Sequence, residues 1–294
     1  MLVILCMTPL AAQAPSRRDG MDQRVRSAIS SFPGTVSLYA KNLDTSETYA
    51  IRENHRVRTA STIKLAVMAA VFDAVEQGQA KWTEELLLRD SDKVQGTGVI
   101  HELSDGVHLP IRDLVHLMIV VSDNTATNLL LDRFSADTVN AYMDRLGLKQ
   151  TRCLRKIISG GKEPSGWSEA GRVEQNRRFG LGVTTPKEIG TLIEKMERGE
   201  VVSPAASREM IAILKRQQDT TGIRRKTGSL PVASKAGALD RLRSDVGIVY
   251  SPGGRIAIAI NVEDIPKVDY TPDNPGCILI SGLTTLLLDG LAQH

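Results

Sequence analysis

The sequence predicts an α+β fold in which one antiparallel sheet, flanked by terminal helices, carries an inserted all-helical lobe. Three observations lead to this prediction: apolar and polar residues alternate near the start of the chain, helical periodicity fills its middle, and strand signals return after residue 230. Strands from both chain ends can form one sheet, whereas the helices between them need a core of their own. With 294 residues, of which 41% are hydrophobic, the chain can bury both cores.

The elements are expected in the following order. A helix at 22–32 and a hairpin over 34–51 precede a strong helix candidate at 61–77. Further helices are expected at 109–121, 124–134, 136–146, 185–198 and 204–216, with a glycine-rich loop over 156–182. Strands at 232–239, 245–251 and 255–262 precede a long apolar helix at 276–292. Residues 15–60 and 219–294 therefore make the α/β lobe, and residues 61–218 the all-helical lobe, of one domain over about 22–292.

Residues 1–14 have the pattern of a secretory signal peptide. An apolar run from Leu2 to Leu10 is followed by Ala12-Gln13-Ala14, a small-x-small cleavage pattern, although no Lys or Arg precedes the run. The run is too short to cross a bilayer, which takes about 20 apolar residues. We expect cleavage after Ala14 and a secreted or periplasmic protein, with an ordinary buried N-terminal segment as the alternative.

Composition narrows the classes of partner. Lys and Arg number 37 and Asp and Glu number 34, so the formal net charge is only +3. This balance argues against a nucleic-acid binder, and the 4% of aromatic residues leaves few stacking platforms for bases. No apolar run reaches the length of a membrane span without a charge. We expect a small-molecule substrate, no nucleic acid, no stable membrane span and a monomer.

Cysteines and histidines give no sign of a metal site. The chain has no C-x-x-C pattern, and its five histidines show no H-E-x-x-H spacing, so we expect no metal and no cofactor. Cys6 would leave with the signal peptide, and Cys153 and Cys277 remain. A disulfide between these two and a pair of buried free thiols both fit an exported protein.

Ser61 and Lys64 stand three residues apart at the start of an almost wholly apolar helix. Residues at this spacing share a helix face, so Lys64 can reach the Ser61 hydroxyl, and burial would lower the pKa of the amine until it acts as a base. Free N–H groups at a helix start would favour the negative charge that develops during nucleophilic attack. The alternative, Ser61 as an N-cap only, would favour Glu three residues on. Ser159 and Lys162 repeat the spacing, but in a glycine-rich stretch that forms no helix.

A second motif, Ser122-Asp123-Asn124, lies between two predicted helices. All three residue types are good N-caps, so capping alone could explain the motif. The functional interpretation is a second hydroxyl that relays a proton, together with an amide that orients a substrate carbonyl.

A third motif, Lys235-Ala236-Gly237, lies on the first returning strand. Its lysine could be an edge-strand charge that blocks aggregation. Alternatively the lysine faces a cleft, and the glycine lets a substrate approach the strand closely. Lys226-Thr227-Gly228 has a similar pattern but lies in a polar segment before Leu230-Pro231, so we prefer the motif on the strand.

In this order the three motifs resemble those of the class A β-lactamases and the related penicillin-binding enzymes. The resemblance covers roughly residues 22–292 and implies a β-lactamase-like fold. It also implies a serine hydrolase that acts on a β-lactam or a peptidoglycan-like peptide. By match, the catalytic residues are Ser61 as acylated nucleophile, Lys64 as its proton acceptor, Ser122 as relay to the leaving nitrogen, and Lys235 as the cation beside Ser122 and the substrate carboxylate.

The resemblance also implies four substrate-binding positions. Asn124 would bind the side-chain amide of the substrate, and the backbone N–H groups of Ser61 and Ala238 would form the oxyanion hole beside Gly237. Arg243 could pair with the substrate carboxylate, and Arg241 is its rival, because strand alternation puts both on one face.

The sequence departs from the class A pattern at the residue that clears the acyl-enzyme. The glutamate that activates water in that family aligns with Ile157, which cannot accept a proton. Glu163, Glu169 and Glu174 follow in the loop and are candidate substitutes, although loop glutamates are usually only solvated. The threonine of the family's third motif is Ala236, which removes a hydroxyl from the carboxylate site.

Three functional hypotheses follow. The first is a class A β-lactamase-like hydrolase that opens β-lactams through a Ser61 acyl-enzyme. The second is a D-alanyl-D-alanine peptidase or another esterase-like hydrolase on the same scaffold. The third is a penicillin-binding sensor that acylates without turnover. In all three the acylation residues are present, whereas deacylation is in question.

Overall fold

The structure is a computed structural model that describes residues 17–157 and 167–292. The expected signal peptide at residues 1–14 lies outside the described residues, as do Cys6, Glu163 and the Ser159 and Lys162 pair.

One five-stranded antiparallel sheet forms the frame. Its strands are β1 (Thr35–Asn42), β2 (Thr48–Ile51), β8 (Val232–Leu239), β9 (Leu242–Ser251) and β10 (Gly254–Glu263), and they lie in the order β2-β1-β10-β9-β8. Strands from the two chain ends meet where β1 pairs with β10, as the alternating patterns predict. Because β8 pairs only with β9, it is an edge strand, and its other edge is open to the helical lobe.

Two terminal helices and eight others complete the α+β fold in the part of the chain that the structure describes. The bounds are α1 (Arg17–Ser30), α2 (Lys64–Glu76), α3 (Ile111–Val120), α4 (Asn124–Phe134), α5 (Ala136–Arg145), α6 (Glu169–Arg172), α7 (Glu174–Arg177), α8 (Pro186–Glu197), α9 (Pro204–Lys215) and α10 (Pro275–Leu291). The predicted helix at 61–77 begins instead with a 3-10 turn at Ala60–Ile63, and α2 follows it. The α+β prediction is confirmed.

The region 61–218 is mainly helical but also contains short strands. They pair as β4 (Glu85–Leu87) with β5 (His108–Pro110), and as β6 (Arg152–Cys153) with β7 (Gly182–Thr184), which also pairs with β3 (Val57–Arg58). Each of these strands has only two or three residues, which is too few for the alternating apolar and polar pattern that predicts a strand.

Two apolar cores lie on opposite faces of the sheet. The larger lies between the sheet and the helical lobe and is centred on α2, which is buried on nearly every side. The smaller lies between the sheet and α1 and α10. Cys153 is part of the first core and Cys277 lies on α10, and both are buried free thiols. The described helices include none long and apolar enough to cross a membrane.

Candidate active site

A cavity of about 690 Å³ opens between the edge strand β8 and the helical lobe. Most of the predicted site residues line it: Ser61, Ser122, Asn124, Lys235, Gly237, Ala238 and Arg243. Lys64 is the exception, because its side chain lies beneath the cavity floor and is 0% exposed. The three motifs, separated by up to 174 residues in the sequence (61 to 235), therefore meet in one place.

Ser61 lies in the 3-10 turn that precedes α2, with its side chain partly exposed to the cavity. No side-chain cap closes this turn, so the interpretation of Ser61 as an N-cap is wrong. The preceding residue, Ala60, has a left-handed backbone with φ 47°. A non-glycine residue in this region costs about 1 kcal/mol or more and is typical of functional turns.

Lys64 is held by the loop that carries the second motif. Its Nζ donates to the carbonyl oxygen of Ser122 at 2.7 Å and to the amide oxygen of Asn124 at 3.0 Å, and it lies 3.2 Å from Ser122 Oγ. The expected bond to the Ser61 hydroxyl is not among the hydrogen bonds of the described residues. The prediction assumed that Ser61 and Lys64 belong to one α-helix, whereas Ser61 lies in a tighter 3-10 turn before it. The amine instead bonds to the oxygen acceptors of residues 122 and 124.

Burial and a neighbouring cation make Lys64 a base. Removal from water disfavours the ammonium form, and the charge of Lys235 disfavours it further, so the pKa of Lys64 lies well below its usual value. Asp123 opposes this shift. A neutral Lys64 keeps one lone pair with which it can accept a proton.

The Ser122-Asp123-Asn124 motif combines capping with site geometry. Asp123 is the N-cap of α4, because its Oδ1 accepts the N–H of Ala126 at 2.8 Å. Asn124 donates from Nδ2 to the Gln95 carbonyl at 3.2 Å, so its amide is fixed in the cavity wall. Ser122 has φ 56°, a second left-handed residue at the site. Capping therefore explains Asp123 but neither of its neighbours.

The hydroxyl of Ser122 lies between two lysine amines. Lys235 Nζ lies 3.0 Å from it and Lys64 Nζ 3.2 Å from it. Lys235 is completely buried, and this burial lowers the pKa of the amine to about 8, although Asp219 and Asp245 act to raise it. The hydroxyl thus joins a depressed-pKa base to a cation, which is an arrangement suited to proton relay.

Gly237 brings strand β8 against the nucleophile. A Cβ at this position would lie 2.9 Å from Ser61 N and 2.9 Å from Thr59 O, so any side chain would push the strand away. Ala238 follows it and is exposed to the cavity. The close approach brings the strand that carries Ala238 against the turn that carries Ser61, the two residues predicted to supply the oxyanion donors.

Arg243 rather than Arg241 lines the cavity. Arg243 is 5% exposed, stacks on Tyr270 with its guanidinium 5.0 Å from the ring centroid, and donates to the carbonyls of Leu239, Leu242 and Asp269. Arg241 is exposed in the β8–β9 turn and donates to the Pro266 carbonyl. Of the two arginines, Arg243 is therefore the one that lines the cavity, and its pairing with a substrate carboxylate stays a prediction.

Sequence reasoning missed Asp245, a buried acid on β9 that also lines the cavity. Its Oδ2 accepts the Ile223 N–H at 2.8 Å, whereas Oδ1 has no partner among the described residues. Burial raises the pKa of this carboxyl to about 7. The signal was the lone acid of a long strand, directly before the apolar run Val246–Val249, where a buried charge is rare.

The wall opposite β8 carries Ile157 where the class A resemblance expects a carboxylate. The main chain of Ile157 is fixed by Asn128, which donates to its carbonyl at 2.8 Å and accepts its N–H at 2.9 Å. Glu169 and Glu174 are exposed and do not line the cavity, and Glu174 pairs with Arg177. The two candidate bases that the structure describes therefore lie away from Ser61.

Comparison with known proteins agrees with this site. Residues 20–291 match the model of the beta-lactamase enzyme family. The chain belongs to this family. A β-lactamase of Streptomyces cellulosae is 26% identical over 292 residues, covering 96% of this chain and 88% of the relative. The resemblance inferred from the three motifs is confirmed, and the chain is a hydrolase.

Solved structures place the fold in the same family. A β-lactamase from Sphaerobacter thermophilus has a TM-score of 0.79 at 30% identity, covering 91% of this chain and 95% of that one. A leucine-to-glutamate mutant of PBP-A, solved as an acyl-enzyme complex with penicillin G, has a TM-score of 0.78 at 26% identity, covering 91% and 94%. The predicted β-lactamase-like fold is confirmed.

Proposed function

We propose that this member of the beta-lactamase enzyme family is a class A-type serine hydrolase that opens β-lactam amides through a Ser61 acyl-enzyme. The observation that carries the proposal is the pair of buried lysines that meet at Ser122 Oγ beside Ser61. Burial lowers the pKa of both amines on this hydroxyl, so one can act as a base while the other is an ammonium.

The acylation step uses these groups, and Lys64 Nζ has to move from its Ser122 and Asn124 partners to reach the Ser61 hydroxyl. Neutral Lys64 takes the Ser61 proton, Ser61 Oγ bonds to the lactam carbonyl carbon, and the N–H groups of Ser61 and Ala238 stabilise the oxyanion. The C–N bond then breaks, and the proton passes from Lys64 through Ser122 to the leaving nitrogen. Lys235, kept as ammonium, stabilises Ser122 in this relay and attracts the substrate carboxylate.

Deacylation is the slow step in this proposal. Ile157 offers no proton acceptor to a water near Ser61, and the two acids that line the described cavity, Asp219 and Asp245, are grouped with Lys235 instead. A general base typically contributes a factor of about 10² to 10⁴, so its loss leaves a long-lived ester.

A chromogenic cephalosporin tests the proposal. We expect one rapid burst of product equal to the enzyme concentration, followed by slow turnover. A Ser61→Ala protein that hydrolyses as well as the parent would overturn the proposal.

The single change Glu163→Gln tests whether deacylation is slow. If the parent turns over quickly and the Glu163→Gln variant accumulates an adduct, this loop glutamate replaces the missing base.

A second function, a D-alanyl-D-alanine peptidase or related esterase, is favoured by one observation. PBP-A is a structural match over 91% of this chain, and Ile157 lines the cavity where the class A resemblance expects a glutamate. Release of D-alanine from a D-alanyl-D-alanine peptide, abolished by Ser61→Ala, would support this function. If Ser61 is acylated but neither the β-lactam nor the peptide turns over, the protein is a penicillin-binding sensor instead.

We also propose export as the context of this activity, on the pattern of residues 1–14. N-terminal sequencing of the mature protein should find Pro15 as its first residue. A mature chain that retains Met1 would contradict export.

A further inference from the structure

We propose that Arg155 binds a carboxylate on the acyl side chain of the substrate and is therefore a specificity-determining residue of this site. The proposal rests on the Ser61 acylation described above and adds the chemical class of the acyl group: an anionic one.

The charges that line the cavity are unevenly divided. Lys235, Arg243, Asp219 and Asp245 gather at the β8–β9 side, where cations and acids balance. On the opposite wall, formed by residues 155, 157, 180 and 181, Arg155 is the one charged group among the described residues. Among the residues that the structure describes, that wall therefore has a positive charge and no acid.

The guanidinium of Arg155 has donors to spare. It carries five N–H donors, of which one reaches the Lys156 carbonyl at a long 3.5 Å. It forms no ion pair with any described residue. Arg152, three residues earlier on strand β6, instead bonds Asp144 and two carbonyls. Arg155 thus resembles a binding group that awaits its partner more than a structural arginine.

Burial and stacking hold Arg155 in place for a ligand. Its guanidinium lies 5.5 Å from the centroid of the Trp167 ring, and its Nη2 is close to Gly180, 3.8 Å from the position that a Cβ would take there. Partial burial lowers the pKa of this guanidinium, yet the group stays charged. A carboxylate that accepts two hydrogen bonds from this guanidinium would replace the hydrogen bonds to water that burial removed.

The position of Arg155 selects the acyl half of the substrate. In the proposed reaction the leaving nitrogen faces Ser122, and the carboxylate beside it faces Lys235. Among the described residues, no hydrogen bond or ion pair joins Arg155 or Ile157 to Ser122 or Lys235, so we assign the part of the cavity that they line to the acyl side chain.

Matched penicillins test this inference. Carbenicillin is benzylpenicillin with one added side-chain carboxylate, and the adipoyl penicillin is the hexanoyl penicillin with a terminal carboxylate. The two pairs place the anion at two distances from the scissile bond. For each pair the second-order rate constant for Ser61 acylation is measured by intact-mass spectrometry, and the ratio of anionic to neutral substrate is compared between parent and variants.

We expect Arg155→Gln to lower this ratio about tenfold or more for at least one pair, and Arg155→Lys to restore part of it. Raising the ionic strength from about 0.05 M to about 0.5 M should lower the parent's ratio and leave that of Arg155→Gln unchanged. Arg172→Gln, an exposed arginine of the same loop region outside the cavity, is the control and should keep the parent's ratio.

The outcomes separate the two proposals. Ratios that are equal in the parent and Arg155→Gln for both pairs, with Ser61 acylated normally, would overturn the role of Arg155 alone. Absence of Ser61 acylation by all four penicillins would overturn the proposed function. An Arg172→Gln protein whose ratio falls as far as that of Arg155→Gln would also overturn the inference, because a general loss of positive charge would then explain the effect.

Discussion

The two walls of the cavity differ in how the chain holds them. Where β8 meets the helical lobe, polar groups bond to one another: Lys235 of β8 and Lys64 of α2 both contact Ser122, and Gly237 lets β8 touch the nucleophile's turn. On the opposite wall, Ile157 is fixed only through its main chain by Asn128, and it offers an apolar side chain to the cavity. On the proposed function, the difference means that the residues that would form the acyl-enzyme and the position of the base that would break it lie in separately held parts of the site.

Removing the nucleophile should have the largest effect. Ser61→Ala leaves no atom to accept the acyl group, so acylation should fall by a factor on the order of 10⁶. Intact-mass spectrometry after exposure to benzylpenicillin measures it. Ser30→Ala, at the exposed end of α1, is the matched control and should acylate like the parent.

Adding a base to the apolar wall should have the next largest effect, and in the opposite sense. Ile157→Glu places a carboxylate on a main chain that Asn128 already fixes, and we expect deacylation to accelerate by a factor of about 10² to 10⁴. The decay rate of the penicilloyl adduct measures the gain. Ile157→Gln has the same shape without basicity, and an equal acceleration in this variant would rule out general-base action by the glutamate.

Pushing the polar wall away from the nucleophile should cost less. A methyl at position 237 would meet Ser61 N at 2.9 Å, so Gly237→Ala should shift β8 and lower the acylation rate constant by about 100-fold. Gly282→Ala, where the added methyl meets no atom within 4 Å, should leave it unchanged. Equal acylation by Gly237→Ala and the parent would mean that the close approach of β8 plays no part in the reaction.

The smallest expected effect is a shift in the pH profile. Because Lys235 acts as ammonium and its pKa is about 8, acylation should decline as pH rises through that value. The negative charge of Asp245 raises the pKa of Lys235, so Asp245→Asn should move this decline to lower pH. Asp113→Asn, exposed on α3, should not move it. A decline that stays in place or moves to higher pH in Asp245→Asn would break the link between these two groups.

The sequence predicted the long elements well and the short ones poorly. The bounds of α4 and β8 agree with the prediction, because each has a full run of its own periodicity and a capping or turn signal at its end. The strands β3, β4, β5, β6 and β7 are too short for periodicity, and tertiary pairing alone defines them.

The site was predicted by residue type but not by contact. Motif spacing brought Ser61, Ser122 and Lys235 to one cavity, and that much is in the structure. Spacing could not show that Lys64 would turn from its helical neighbour Ser61 to the loop at Ser122, since that depends on acceptors 58 residues away. The position of Arg243 inside the cavity likewise depends on carbonyls and an aromatic ring from distant segments.

The lifetime of the penicilloyl adduct tests the central claim most directly. The protein is exposed to benzylpenicillin, free drug is removed, and intact mass with peptide mapping follows the adduct over time. We expect a single adduct on Ser61 that outlasts the removal of free drug in the parent and disappears quickly in Ile157→Glu. An adduct on another residue, or a parent that clears its adduct as fast as Ile157→Glu does, would contradict the account.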